Sequence, residues 1–340
     1  MRHRTRALLS LVTAATCATA YLPAAAHAAP RDGSPAQETW AVIGDVPYGA
    51  AQIEAFPGWV DDINAGEPDA VFHVGDIKSG SGRCDDQYYL DIKTQFERFE
   101  APLIYTPGDN EWTDCHRANN GGYDPLERLA FLRSVFYAPA QHRGDSRAIR
   151  TEAAVGLPEN LTFRRDGIAV AVLHVVGSND GTLPWSGLGL ARPTAEQLAD
   201  QEARMTNALE LVARSFETAR QRNDRAVVLM MQADMFDPSW PVTYEAVSAF
   251  EPLVQLIAEE AAAFEGEVYL FDGDSHTFHV DQPLAAGSSW LEMYSVTTPA
   301  ENLTRVTVDG SSNNWNWLEV TVAPRGQEPV LSWERVPYSG

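Results

Sequence analysis

Potential metal ligands follow five apolar runs of the sequence, with at least one at the end of each run. They are Asp45, Asp76, Asp109, Gln232, and the pair Asp274 and His276. Carboxylate, amide and imidazole groups are the side chains that bind divalent cations in proteins. A single Gly-Asp pair after a strand is typical of an ordinary turn, because aspartate is common at turns and helix starts. Four Gly-Asp pairs, each at the end of an apolar run, instead predict a metal site.

The apolar runs alternate with segments that have the period of a helix, and this order predicts an α/β fold. The predicted strands that end in these ligands cover 40–43, 70–74, 102–106, 226–231 and 267–271. The predicted helices cover 51–64, 86–99, 125–136, 194–222 and 244–263. Strands that alternate with helices are typical of βαβ units. In such sheets ligands bind beyond the carboxyl ends of the strands, so the candidate ligands are expected to converge in one crevice.

The remaining segments are predicted to be a loop, a hairpin and a run of strands. Residues 138–159 have no clear period and are expected to form a long surface loop, whereas 160–176 are expected to form a hairpin. Beyond residue 289 the pattern predicts strands only, over 290–296, 303–308, 317–322 and 330–336. Residues 39–340 contain no internal repeat and no second linker, and they are expected to form a single domain.

Five ordered blocks of the sequence resemble the calcineurin-like metallophosphoesterases, over roughly residues 40–280. The blocks are G-D-V-P-Y at 44–48, V-G-D-I-K-S-G at 74–80, P-G-D-N-E-W at 107–112, M-M-Q-A-D at 230–234 and G-D-S-H at 273–276. The resemblance implies a two-sheet α/β/β/α sandwich of the metallophosphoesterase type, with the terminal strands completing the second sheet. It also implies a two-metal centre that hydrolyses phosphate esters with a hydroxide held between the metals.

Three positions keep the residues of the family's metal centre. Asp45 matches the first aspartate ligand, Asp76 matches the aspartate that bridges the two metals, and His276 matches the last histidine ligand. The resemblance therefore implies that these three side chains bind metal and that Asp76 is shared between the two ions.

Other positions depart from the family pattern, and several of them replace imidazole nitrogen by oxygen. Asp109 stands at an asparagine ligand, Gln232 and Asp274 stand at histidine ligands, and Pro47 stands at a further histidine. Asn110 occupies the position of the histidine that acts on the leaving group. Carboxylate and amide oxygens suit Mn, Mg or Ca, whereas imidazole-rich sites suit Zn or Fe. Two divalent cations are therefore expected, with Mn or Mg favoured, Ca compatible, and Zn or Fe disfavoured.

The acidic ligand set implies a shortage of positive charge near a bound phosphate, so local cations are expected to contribute. His116 is the candidate proton donor for a leaving group, because Asn110 cannot act as an acid. Arg117 is the candidate for a bidentate phosphate contact. The alternatives stay open at this point: Arg117 pairs with Asp114 or Asp86 instead, and His116 is an ordinary surface residue.

Two features predict that the chain is exported. Residues 1–28 have the basic start, the apolar run and the Ala-His-Ala end of a signal peptide, and the Ala/Pro/Ser-rich lead-in at 29–38 is expected to be disordered. Cys84 and Cys115 then remain, and a pair of cysteines in an exported protein favours a disulfide over two separate thiols. The expected location is secreted, or in the periplasm or cell envelope, without a membrane anchor.

The charge of the chain limits its partners. The formal charge is −22, and removal of residues 1–28 takes away three arginines and no acidic residue, which gives −25. Nucleic acids and anionic membranes bind clustered cations, so neither is expected as a partner. The expected function is hydrolysis of a small phosphorylated substrate, a phosphate mono- or diester. The alternative is a protein of the same fold that lacks catalysis and binds a metal, an anion or a sugar.

Overall fold

Two β-sheets pack face to face, and helices cover the outer face of each sheet. The computed structural model describes residues 37–137, 149–239 and 242–339, which belong to one compact unit. The predicted signal peptide, most of the predicted lead-in and residues 138–148 of the predicted loop lie outside the described residues. The observed layers confirm the predicted two-sheet α/β/β/α arrangement.

The first sheet carries three of the predicted ligand-bearing strands. Its strands are β1 (Thr39–Ile43), β2 (Ala70–His73), β3 (Leu103–Tyr105), β11 (Asn316–Val322) and β12 (Leu331–Pro337). They are hydrogen-bonded in the order β12-β11-β1-β2-β3. Because β1, β2 and β3 run parallel, their carboxyl ends lie at one edge of the sheet. The strand β11 pairs antiparallel with β1.

The second sheet carries the remaining ligand-bearing strands. Its strands are β4 (Arg150–Glu152), β5 (Leu157–Arg165), β6 (Ile168–Val172), β7 (Ala226–Met230), β8 (Glu267–Asp272), β9 (His279–Asp281) and β10 (Leu303–Thr307). Their order is β4-β5-β6-β7-β8-β10-β9, and β6, β7, β8 and β10 run parallel. The carboxyl ends of β7 and β8 therefore also lie at one edge.

The helices connect the strands of each sheet. They are α1 (Gly49–Ala65), α2 (Asp86–Phe96), α3 (Pro125–Phe136), α4 (Gly177–Gly181), α5 (Ala195–Arg222), α6 (Tyr244–Val247), α7 (Glu251–Ala262) and α8 (Ser289–Met293). The start of α5 is fixed by a capping box, in which Thr194 and Gln197 each accept a hydrogen bond from the other's backbone.

Three apolar cores follow from the alternation of side chains along the strands. In β1, Trp40 and Val42 point into the core between the two sheets, whereas Ala41 and Ile43 pack with residues of α1, α2 and α3. A third core lies between the second sheet and the helices α5 and α7. Each large apolar side chain that is fully buried contributes roughly 1.5–3 kcal/mol. The cores hold both sheets in place at the edge where the candidate ligands lie.

The prediction of strands throughout the C-terminal region is wrong at residues 290–296. Ser289–Met293 form the helix α8, because the Ser288 side chain accepts a hydrogen bond from the Trp290 N–H and so starts a helix. The terminal strands β11 and β12 also belong to the first sheet rather than the second, in which only β9 and β10 follow β8.

Two further element predictions need correction. The predicted loop over 138–159 contains β4 and the beginning of β5. The predicted helix over 244–263 is interrupted after Val247 by a 3-10 turn at Ser248–Phe250, and α7 starts there with Pro252 in its first turn. Proline lacks a backbone N–H, so it fits the first turn of a helix, where the N–H groups have no partner within the helix, although α1 accommodates Pro57 in its interior.

Candidate metal centre

The predicted ligands that follow β1, β2, β3 and β8 lie together between the edges of the two sheets. In a first group, Asp45, Asp76 and His276 each offer one ligand atom, and these three atoms lie within 4.8 Å of one another. A second group, made of Asp76, Asp109 and Asp274, has three ligand atoms that are equally close. Asp76 belongs to both groups. The described residues contain no other group of this kind. This arrangement can hold two cations that share one carboxylate.

Four of these residues have a left-handed backbone. The φ angles are 56° at Asp45, 59° at Asp76 and 64° at both Asp274 and His276. This conformation is uncommon for residues other than glycine, and it is concentrated at functional sites. The turns after β1, β2 and β8 therefore direct these side chains into the crevice at some cost in backbone energy.

Glycines beside the ligands allow the carboxylates to approach the backbone. A Cβ atom at Gly108 would overlap the Asp76 carboxylate and lie 2.6 Å from the Asp76 backbone nitrogen. A Cβ atom at Gly177 would lie 2.7 Å from Asp274 Oδ2 and 3.0 Å from Asp109 Oδ2. A side chain at either position would therefore displace these carboxylates, and at Gly108 it would displace the Asp76 backbone as well.

The carboxylates of the centre repel one another. Burial raises the pKa of Asp76 well above its ordinary value, and the charges of Asp109, Glu111, Asp45 and Asp274 raise it further. Burial and neighbouring carboxylates also raise the pKa of Asp274 and of Asp109. A cluster of carboxylates with raised pKa values favours the binding of either protons or metal cations.

The residues present fit divalent cations. The two groups offer four carboxylates and one imidazole, and oxygen-rich sets of this kind suit hard cations. The buried Lys78 does not pair with them, because its Nζ donates to the carbonyl oxygens of Asn110 at 2.6 Å and Ser79 at 2.9 Å. Cations would relieve the repulsion that raises the pKa values of the carboxylates.

Gln232 lies at the predicted strand end, but its oxygen is already engaged. Its Oε1 accepts a hydrogen bond from the Gly177 N–H at 2.6 Å. The buried Nε2 of Gln232 has no hydrogen-bond partner among the described residues. Ligation by Gln232 stays a prediction.

Asn110 contacts the shared carboxylate. Its backbone N–H donates to Asp76 Oδ1 at 3.0 Å, and its Nδ2 donates to Asp76 Oδ2 at 2.5 Å. Asn110 therefore lies beside Asp76, and its amide holds the orientation of that carboxylate.

The predicted phosphate-binding arginine is paired. Arg117 forms an ion pair with Asp114, with Nη1 to Oδ2 at 2.6 Å, and its side chain is 43% exposed. This is one of the two alternatives to a phosphate contact that the sequence left open. A phosphate contact by Arg117 would need this pair to separate.

The predicted proton donor, His116, is largely buried rather than on the surface. Its Nδ1 accepts a hydrogen bond from the Gly187 N–H at 3.1 Å, so its ring proton lies on Nε2 when the ring is neutral. Burial and the charge of Arg117 lower the pKa of His116. Both effects favour the neutral imidazole, and proton donation by His116 stays a prediction.

Two residues of the centre were missed in the sequence. The Tyr48 hydroxyl lies 2.9 Å from Asp76 Oδ2 and 3.3 Å from Asp45 Oδ1. The Ser178 hydroxyl donates to Asp109 Oδ2 at 2.6 Å. Tyr48 lies inside the first motif block, so its distance of three residues from Asp45 was the available signal.

Glu111 supports the ligands from behind. Its Oε1 accepts hydrogen bonds from the backbone N–H groups of Asp76 at 3.1 Å and Gly108 at 2.6 Å, and from the Tyr105 hydroxyl at 2.7 Å. These bonds tie the turns after β2 and β3 together.

The predicted disulfide is present. Cys84 and Cys115 are bonded, with their Cα atoms 5.8 Å apart. The bond joins the segment before α2 to the 3-10 turn Thr113–His116 that follows the Asp109 turn. It therefore holds the loop that carries Asp109 and Asn110.

The chain is similar in structure to several solved proteins, at low sequence identity. A dimetal phosphatase from Danio rerio is 10% identical, with 89% of this chain and 99% of that chain covered and a TM-score of 0.48. A purple acid phosphatase from yellow lupin seeds is 11% identical, with 91% and 55% covered and a TM-score of 0.49. A 5'-nucleotidase precursor from Thermus thermophilus is 13% identical, with 89% and 54% covered and a TM-score of 0.41.

In motif order and in its two-sheet fold, the chain resembles the calcineurin-like metallophosphoesterases. No family model matches the sequence, and no curated protein matches it. None of the helices in residues 37–137, 149–239 and 242–339 has the length and hydropathy that a membrane span requires.

Proposed function

We propose that this chain is an exported, metal-dependent phosphoesterase that hydrolyses phosphate mono- or diesters of a small substrate. The observation that carries the proposal is the position of Asp76, which belongs to two groups of three metal-ligating side chains at one crevice. When bound, two divalent cations would polarise a phosphoryl group and make a water molecule more acidic.

The chain's own residues hold the centre in a fixed geometry. The Ser178 hydroxyl orients Asp109, while the Asn110 amide and the Glu111 carboxylate fix the Asp76 side chain and backbone. Such preorganisation lowers the cost of reaching the transition state. The metal ligands proposed are Asp45, Asp76, Asp109, Gln232, Asp274 and His276, with Mn or Mg as the favoured ions.

The nearby basic residues have two proposed roles, and the first requires a rearrangement. Arg117 contacts a phosphate once its pair with Asp114 separates. His116 donates the proton on Nε2 to a leaving group. The disulfide between Cys84 and Cys115 supports the proposed export, because such bonds persist in oxidising compartments.

The proposal is tested by turnover of a generic aryl phosphate mono- and diester with Mn, Mg, Ca or Zn. We expect turnover with Mn or Mg and loss of at least about a hundredfold in Asp76→Asn, because one ligand of both cations is removed. Asp91→Asn changes an exposed aspartate on α2 and serves as the matched control, which should keep full activity.

Absence of turnover with every metal, over a broad panel of phosphate esters, would contradict the proposed activity. If the same protein still binds metal, the rival function gains support: a metal- or ligand-binding protein on this fold. The asparagine at position 110 and the engaged Nδ1 of His116 are the observations in favour of that rival.

A further inference from the structure

We propose that the Tyr48 hydroxyl oxygen is a fourth protein ligand of the cation held by Asp45, Asp76 and His276. This inference rests on the proposed metal centre, and it does not require phosphoesterase activity.

The position of the Tyr48 oxygen matches that of a ligand. It lies 2.9 Å from Asp76 Oδ2 and 3.3 Å from Asp45 Oδ1. Oxygen ligands that bind one Mg ion at about 2.0–2.1 Å in octahedral geometry lie about 3 Å apart. Both carboxylates belong to the same ligand group, so the hydroxyl occupies the corner that a further ligand of that cation would take.

The ring of Tyr48 is fixed against the third member of the group. It packs edge to face with His276, with a centroid distance of 5.5 Å and an interplanar angle of 85°. The Tyr48 N–H donates to Gln52 Oε1 at 2.6 Å, and Gln52 Nε2 in turn donates to the Ser311 carbonyl at 2.5 Å. The hydroxyl is therefore held in the crevice by both its backbone and its ring.

The ligand group is incomplete without a further donor. Asp45, Asp76 and His276 provide three ligand atoms, whereas divalent cations take four to six or more. Pro47 stands where a histidine ligand would be expected, and it offers no side-chain donor. Tyr48 is the next residue, and its oxygen reaches the same carboxylates.

The competing explanation is that the Tyr48 hydroxyl only forms hydrogen bonds within the centre, donating to Asp76 Oδ2 and accepting from Asn110 Nδ2 at 2.8 Å. Its removal would then also lower the affinity for Mn, because residues that orient a metal-binding carboxylate contribute to affinity. The two explanations differ in the absorption of tyrosine, which changes on Mn addition only if the Tyr48 oxygen contacts the cation.

The experiment is calorimetric titration of the metal-free, full-length protein with Mn. In Tyr48→Phe we expect the affinity of one of the two sites to fall by at least about tenfold, since loss of even an indirect metal contact costs that much. A near-ultraviolet change in tyrosine absorption on Mn addition should appear in the wild type and be absent from Tyr48→Phe.

Tyr88→Phe is the matched control. The Tyr88 hydroxyl donates to the carbonyl oxygens of Ile77 at 2.7 Å and Pro47 at 3.3 Å, so it lies near the same turn without a hydrogen bond to a ligand carboxylate. This variant should bind Mn as the wild type does. Circular dichroism and urea unfolding of both variants check that the fold is retained.

Each outcome decides the inference. Unchanged or tighter Mn binding by Tyr48→Phe, or a fall in affinity without a tyrosine absorption change in the wild type, overturns it while leaving the metal centre and the proposed activity intact. Failure of the wild type to bind Mn at all overturns the inference and the metal centre together. Loss of turnover alone bears on neither, because the readout is the affinity for Mn.

Discussion

At the residue scale, the centre depends on small residues as much as on its ligands. Gly108 has ordinary backbone angles, yet it has no room for a side chain because the Asp76 carboxylate and backbone lie against it. A methyl group there would push Asp76 out of both ligand groups without changing any ligand. The glycine before Asp109 is therefore a steric requirement of its neighbour, Asp76.

We expect Gly108→Ala to lower the affinity for Mn and the turnover by about a hundredfold, because a displacement of 1 Å at a reacting centre has an effect of that order. Calorimetry and the aryl phosphate assay measure the two effects. Gly58→Ala is the control, since a Cβ atom there meets nothing within 4 Å and the position lies inside α1. Wild-type affinity in Gly108→Ala would show that Asp76 is not confined as described.

The aspartate ligands were predictable from the sequence, and two of their partners were not. Gly-Asp after an apolar run is visible without any structure, because both the turn and the strand leave local patterns. Ser178 leaves no such pattern, and Tyr48 leaves only its distance of three residues from Asp45, since each contacts its carboxylate through a turn whose direction the sequence does not specify. Which acidic residue forms the ion pair with Arg117 likewise depends on how one loop folds, and the sequence does not specify this.

At the element scale, the turn after β6 is held in place by a network of buried charges. Ser178, Asn179 and Asp180 within α4 all have left-handed φ angles, between 51° and 55°, so this segment is a kinked turn and not a regular right-handed helix. Such residues cost roughly 1–2 kcal/mol each, and they persist when the surroundings fix them. Here Arg204 donates to both the carboxylate and the carbonyl of Asp180, at 2.6 Å and 2.9 Å. The strained turn thereby directs the Ser178 hydroxyl at Asp109.

A second buried network joins α3, β5 and the end of β6. Glu159 accepts hydrogen bonds from Arg133 Nε at 3.1 Å and from His174 Nδ1 at 2.8 Å. Burial raises the pKa of Glu159, but the bonds and charges of His174 and Arg133 outweigh it and lower the value to about 2. The ionised carboxylate is thus strongly stabilised in the folded protein.

Glu159→Gln should lower the free energy of unfolding at pH 7 by about 3 kcal/mol, since a fall in pKa from 4.5 to about 2 corresponds to that amount. A lowered carboxylate pKa contributes stability above the unfolded value and loses it as the pH falls toward the folded value. The variant should therefore show a weaker loss of stability between pH 4.5 and 2, measured by urea unfolding.

The control for Glu159 is Glu54→Gln, which removes an exposed carboxylate of α1 and should change stability little. If the free energy of unfolding of Glu159→Gln falls with decreasing pH as steeply as that of the wild type, this network does not govern stability in acid.

The sequence predicted most elements because their periods are local, and the errors have local causes as well. The helix α3 was predicted with its observed bounds, Pro125–Phe136, since Asp124 caps it and proline starts it. At α8, the apolar residues from Trp290 onward suggested a strand, and the capping signal of Ser288 was overlooked. The break before α7 follows from Pro252, which was visible in the sequence.

At the scale of the whole molecule, the centre exists because two sheets meet. Asp45, Asp76 and Asp109 come from the first sheet, whereas Asp274 and His276 come from the second. Neither sheet alone carries all three members of either ligand group. The assignment of β11 and β12 to the first sheet depends on pairing over most of the chain, and local sequence patterns do not specify such pairing.

The net charge of the chain bears on which charges neutralise the carboxylates of the centre. A chain with a formal charge of −22 places four aspartates in one crevice, and its buried Lys78 is bonded elsewhere. Two divalent cations would balance those four charges. We therefore expect this crevice to hold two cations and Asp76 to bind both.

The most direct measurement is anomalous diffraction from crystals grown with Mn and Zn at equal concentration, recorded on both sides of each absorption edge. We predict two Mn peaks about 3.5–4 Å apart, one beside Asp45 and His276, the other beside Asp109 and Asp274, and both in contact with Asp76. Zn in both positions would contradict the preference for hard cations. A single peak, or peaks that are not in contact with Asp76, would contradict the proposed centre of two cations that share Asp76.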